Sequence, residues 1–137
     1  GSTSTAAGAA CVGEEMTVLI TGDMSFSYDV NGLSSTYLSP RFKIIVMCNG
    51  GGGIFRFIKP TSDLPELETC FEIHRDISVE KYADLFGLRY FELNDEKSAA
   101  EVLSLFFAEK DRPAILAVHT PNVYNAEVLR GYFRRSR

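Results

Sequence analysis

Four short apolar runs, at residues 16–21, 42–48, 89–93 and 114–119, punctuate this sequence at intervals that leave room for a helix between each pair. Runs this short, without polar alternation, read as strands covered on both faces. Between them, apolar residues recur at helical spacing. Val30, Leu33 and Tyr37 mark a helix over 27–38, and Val79, Tyr82, Ala83 and Phe86 mark another, with Ser78 as N-cap and Gly87 as its stop. Ala99, Val102, Leu103, Phe106 and Phe107 form a third stripe after the possible caps Asn94 and Asp95, and Tyr124, Val128, Leu129 and Tyr132 form a fourth after Pro121. The small-residue opening "GSTSTAAGAA" reads as a helix that packs closely against a neighbour. Strands alternating with helices make right-handed βαβ units, so the expected fold class is α/β: a three-layer α/β/α domain with a mainly parallel central sheet.

At 137 residues the chain makes one domain, which buries roughly 68–70% of the surface its unfolded form exposes. The net charge of −4 argues against a nucleic-acid partner, because that binding needs clustered cations on one face. Arg130, Arg134, Arg135 and Arg137 are the one basic cluster, and they read as a solvated helix end. Cys11, Cys48 and Cys70 share no metal-like spacing and read as reduced, buried thiols of a cytoplasmic protein. No apolar stretch has the length of a membrane span. The segment 59–77, "KPTSDLPELETCFEIHRDI", breaks any regular pattern and is expected to act as a lid or partner contact.

In parallel sheets ligands bind beyond the carboxyl ends of the strands. Two of those ends carry unusual chemistry here. The first is followed by Gly22-Asp23-Met24-Ser25-Phe26, the second by Asn49 and then Gly50, Gly51, Gly52 and Gly53. If the two ends are neighbours, Asp23 and Asn49 direct oxygens at one spot, and the glycines let a main-chain carbonyl, that of Gly51 first among them, approach as a third ligand. Mg²⁺ takes such hard oxygens, with phosphates and water completing its shell. Free N–H groups near Met24, Ser25 and Phe26, with the Ser25 hydroxyl, would then face a diphosphate at a helix start. Taken singly, Asp23 reads as an N-cap and the glycines as a flexible turn. Their joint arrangement, followed by the apolar "IFRFI", favours the site.

Gly-Asp, then about 26 residues, then Asn and Gly resembles the metal and diphosphate motif of thiamine diphosphate-dependent enzymes. Within them, "GDMSF", "NGGGGIF" and the opening helix most resemble the branch in menaquinone biosynthesis that decarboxylates 2-oxoglutarate and adds the carbanion to isochorismate. The resemblance implies the thiamine diphosphate-binding fold over 1–137, as the C-terminal domain of a longer enzyme. It implies Asp23, Asn49 and Gly51 as ligands of Mg²⁺ (or Mn²⁺). It also implies Gly22, Met24, Ser25, Phe26, Gly52, Gly53, Ile54 and Phe55 around thiamine diphosphate, and Phe55 and Ile58 in the substrate pocket. The family's Asn-Asn-Asp/Asn is Cys48-Asn49-Gly50 here, which keeps the metal-ligating Asn. No catalytic residue is expected within this chain. The activating glutamate belongs to a pyrimidine-binding domain, usually of a second subunit, so a homodimer or homotetramer is implied. Other readings are an acetolactate synthase-like enzyme, a 2-oxo acid decarboxylase, or a non-catalytic nucleotide- or phosphate-binding module. The last lacks a Walker-type Gly-Lys, since the glycine run ends in Ile-Phe. His119 and His74 are possible acid-base groups, His119 reading rather as a structural histidine.

Overall fold

The computed structural model describes residues 1–72, 75 and 77–135. Its strands β1 (Thr17–Gly22), β2 (Phe42–Cys48), β3 (Arg89–Leu93) and β4 (Ala114–His119) form one parallel sheet in the order β1-β2-β4-β3. The apolar runs predict all four. Their lack of alternation has a direct cause: Ile44, Val46, Ile115 and Ala117 pack into one layer, while Ile45, Ala114, Leu116 and Val118 pack into the other.

The first layer holds α1 (Ser2–Val12), α2 (Asp23–Tyr28), a 3₁₀ turn at Val30–Ser34, and α4 (Val79–Phe86). The second holds α5 (Ala99–Ala108), whose Phe106 is fully buried against Phe91 and Leu116. The chain crosses the sheet from β1 through β2 to β3 and then steps back to β4. Right-handed crossovers therefore put α5 on the face opposite α2 and α4.

Local chemistry accounts for the helices. The Ser78 hydroxyl accepts from the Lys81 amide at 3.3 Å, Val79 and Ala83 face the core, and Gly87 ends α4 as expected. In α1, Thr3, Ala7 and Ala10 make the buried stripe. The close neighbour is the 3₁₀ turn, where a β-carbon on Gly32 would lie 2.7 Å from Ser4 Cα. Asp95 caps a 3₁₀ turn at Glu96–Ser98 that leads into α5, accepting from the Lys97 and Ser98 amides.

Several expectations are corrected. The helix expected over 27–38 is instead α2 and the 3₁₀ turn, with Tyr37 exposed outside both. The break falls at Asp29, which leaves helical geometry to accept from the Ser4 amide at 2.8 Å and hydroxyl at 2.6 Å, and Asn31-Gly32 adds poor helix formers. Segment 59–77 is partly regular, with a 3₁₀ turn at Thr61–Asp63 and a π-helical turn at Leu67–Phe71. The last helix, α6 (Asn122–Arg135), turns Tyr124, Val128, Leu129 and Tyr132 outward. It buries Ala126 and rests Phe133 on Phe57 of α3 (Gly53–Phe57).

Cys11 and Cys70 are exposed rather than buried, and all three thiols are free. Arg130 is no solvated tail residue, because it donates to the Arg56 carbonyl at 2.5 Å. His74 and Arg137 lie outside the described residues. Among the described residues no helix is long and apolar enough to cross a membrane.

Candidate functional site

β1 pairs directly with β2, Gly22 opposite Met47, so their carboxyl ends lie side by side. Asp23 opens α2 at that point and is only 4% exposed. Its Oδ2 accepts from the amides of Asn49 at 3.0 Å and Gly50 at 2.8 Å, while Oδ1 accepts from Met24 at 2.8 Å. The aspartate therefore pins the second strand end to the first. Burying a carboxylate is expensive unless its lone pairs are satisfied, and three backbone donors satisfy them here.

The glycine run then folds back on itself. Gly50, Gly51 and Gly52 adopt φ of 84°, 87° and 67°, a left-handed path that residues with a β-carbon rarely take. The Asn49 Oδ1 accepts from the Gly51 amide at 3.0 Å, closing the turn. The Gly51 carbonyl in turn accepts from Asn122 Nδ2 at 3.0 Å, a contact that ties the first residue of α6 to the turn. A β-carbon on Gly52 would lie 2.6 Å from Glu72 Cα and 2.7 Å from the Phe71 carbonyl, so Phe71 and Glu72 of segment 59–77 lie directly on the glycines.

That segment is anchored by charge. Glu72 is fully buried and accepts from Arg56 Nε at 2.8 Å and Nη2 at 2.5 Å, and Glu68 takes a further bond from the same guanidinium at 2.8 Å. These carboxylates raise the Arg56 pKa further above its ordinary value. The segment also carries Cys70 and Phe71 to a cleft of ≈ 410 Å³ shared with Met24, Tyr28, Ile54 and Phe55. Phe71 packs on Phe55 with ring centroids 5.4 Å apart.

The expected residues divide as follows. Asp23, Asn49, Gly50 and Gly51 meet in one hydrogen-bonded network, with Gly22, Gly52 and Gly53 beside it. Ile54 and Phe55 border the cleft, and Ile58 is 45% exposed just beyond α3. Ser25 is exposed at the first turn of α2. Two expected donors are corrected. The Met24 amide is taken by Asp23. Phe26 begins the intrahelical bonding of α2, and its ring lies in the core, edge-on to Tyr82. His119 stands at the end of β4, paired with Glu92 at 3.0 Å. Burial pushes the Cys48 thiol up to about 11, helped by the charges of Asp23 and Glu92, so it is no nucleophile at neutral pH.

Asn122, Tyr28, Cys70 and Phe71 escape the sequence reading. The length of segment 59–77 is the signal that pointed toward the last two. Asn122 offers only a position after Pro121 at the start of a helical pattern. A cavity of ≈ 450 Å³ opens at the other end of the sheet, between Arg41, Lys43 and Phe107. The buried Lys43 there is satisfied by the carbonyls of Pro40 and Glu109 at 3.1 and 2.6 Å, so its ammonium serves as a structural tie.

The residues fit a divalent cation and a phosphate ligand by their chemistry. A buried carboxylate, an amide oxygen and a main-chain carbonyl are hard donors, the first from the end of β1 and the other two from the glycine turn bonded to it. Glycine at 53 lets two amide side chains close on the turn: a β-carbon there would lie 2.4 Å from Asn122 Oδ1 and 2.8 Å from Asn49 Nδ2. Among the described residues no three His, Cys, Asp or Glu gather as a metal cluster, so a cation here depends on neutral oxygens.

No protein-family model matches the chain. Curated relatives do. It is 48% identical over 133 residues to a 2-succinyl-5-enolpyruvyl-6-hydroxy-3-cyclohexene-1-carboxylate synthase of Porphyromonas gingivalis, covering 97% of this chain and 23% of the relative. Synthases of the same name from Flavobacterium johnsoniae and Christiangramia forsetii are 42% and 38% identical, over 98% and 97% of this chain and 24% and 23% of their own lengths. The chain thus spans about a quarter of the length of the curated relatives it matches.

Proposed function

Since this chain is homologous to a C-terminal part of the 2-succinyl-5-enolpyruvyl-6-hydroxy-3-cyclohexene-1-carboxylate synthases, we propose that it is the cofactor-binding domain of such an enzyme. The whole enzyme would be a thiamine diphosphate-dependent transferase that decarboxylates 2-oxoglutarate and adds the resulting carbanion to isochorismate in menaquinone biosynthesis. The observation that carries this reading is the buried Asp23 carboxylate bridging two adjacent strand ends beside a left-handed glycine turn.

On this reading Asp23, the Asn49 side chain and the Gly51 carbonyl hold Mg²⁺. Ser25, with its amide and hydroxyl at the first turn of α2, receives the diphosphate. Gly52 and Gly53 let the backbone come close to it. Ile54 and Phe55 give the cofactor an apolar wall, and Phe55 and Ile58 extend that wall to the substrate. When bound, thiamine diphosphate supplies the electron sink for decarboxylation. The residues of this chain supply position, charge and exclusion of water. The glutamate that activates the cofactor would come from a pyrimidine-binding domain of a second subunit, so the enzyme is at least a dimer, in the cytoplasm, and this domain alone is inactive.

Calorimetry on the full-length enzyme tests the assignment. Asp23→Ala is expected to abolish Mg²⁺-dependent binding of thiamine diphosphate, because among the described residues Asp23 supplies the carboxylate bonded to the turn. The half-buried Asn49 and Gly50 amides would also lose their acceptor, at about 1 kcal/mol each. Undiminished binding by this variant would sink the assignment. Turnover of 2-oxoglutarate with isochorismate, against pyruvate alone, separates this reading from an acetolactate synthase-like one.

A further inference from the structure

Asn122 is 8% exposed, and its two amide atoms have different fates. Nδ2 donates to the Gly51 carbonyl at 3.0 Å. Oδ1 is buried and has no partner among the described residues. Such an orphan is costly, and native structures keep few without a use. Oδ1 faces the spot that a β-carbon on Gly53 would fill, 2.4 Å from it, and the Asn49 NH₂ lies 2.8 Å from the same spot. The two asparagine amides therefore confront each other across Gly53. They flank that spot without bonding to each other, and Asn49 Oδ1 accepts from the Gly51 amide.

We propose that Asn122 is a positioning residue which sets the two neutral oxygens of the site, holding the Gly51 carbonyl through Nδ2 and offering its unpartnered Oδ1 to the Asn49 NH₂ when a cation draws Asn49 Oδ1 off the Gly51 amide, and so selects a small divalent cation. The inference rests on the metal site proposed above. Its physical basis is the tolerance of the ions: Mg²⁺ needs near-octahedral oxygens at about 2.0–2.1 Å, while Ca²⁺ accepts looser sets at about 2.3–2.6 Å. A carbonyl fixed at one lone pair by a helix residue, with its second lone pair left for the cation, suits the stricter ion. Freed of that hold, it serves the larger ion almost as well.

The test is titration of the full-length enzyme with MgCl₂ and separately CaCl₂, at saturating thiamine diphosphate, read by calorimetry. Asn122→Ala and the isosteric Asn122→Asp are expected to weaken Mg²⁺ binding about tenfold or more and Ca²⁺ binding less than about threefold. Gly53→Ala, whose β-carbon displaces the Asn122 amide, should do the same, and add nothing when combined with Asn122→Ala. Equal losses for both ions, or none, overturn the inference while leaving the metal site standing. A wild-type enzyme that binds neither ion with the cofactor overturns both. Retained Ca²⁺ binding serves as the check that each variant folds.

Discussion

Asp29 shows how one residue decides a boundary. The Ser4 hydroxyl and amide hold its carboxyl down to about 2, well below the ordinary carboxylate range. A folded-state pKa lowered in this way contributes stability that is complete above the unfolded value of about 3.9 and is lost as pH falls through that value toward 2. The docking of α1 on the 3₁₀ turn is therefore expected to weaken between pH 4 and pH 2. Urea midpoints across that window should fall for the wild type, and the fall should be shallower for Asp29→Asn. Asp23 is the contrasting case. Its position after an apolar run and before a helix marked it from the sequence, but an Asp there equally suits an ordinary cap. Only the amides of Asn49 and Gly50 on the same oxygen distinguish the two.

At the scale of elements, the strands are the most legible feature, because continuous burial on both faces leaves a mark in every residue of a run. α4 and α5 follow from their apolar stripes, α4 with the Ser78 cap and α5 behind the 3₁₀ turn that Asp95 caps. The 27–38 stretch fails because its stop signal is a contact to α1, a neighbour remote in sequence. α3 and segment 59–77 are joined by the Arg56–Glu72 pair, which no local pattern announces. With Glu72 fully buried, Arg56→Met is expected to cost about 3–5 kcal/mol by stranding the carboxylate. The double replacement Arg56→Met with Glu72→Leu should recover most of that loss, since a well-packed apolar pair avoids the desolvation penalty. Denaturant unfolding of the three proteins decides it. A double variant as unstable as the single one would show that the pair does more than neutralise its own burial.

At the scale of the whole molecule, the exposed apolar residues bear on how the domain lives. Val18 and Ile20 on β1, and Tyr124, Val128 and Tyr132 on α6, are between 43% and 68% exposed. Exposed apolar residues this numerous suit surfaces that a larger protein covers. If the chain is one domain of the longer synthase, the 137-residue domain made alone should bind anilinonaphthalene sulfonate and aggregate on a sizing column, and the full-length enzyme should elute as one defined oligomer without binding the dye. A monomeric isolated domain without dye binding would count against a covered surface. The sequence by itself determined the four-strand α/β class and the two strand ends that matter, because burial periodicity and glycine placement are local properties. Only the tertiary structure decided that Asn122 closes the Gly51 turn and that segment 59–77 lies on the glycines. Both contacts join residues well separated along the chain, so no local periodicity or capping signal encodes them.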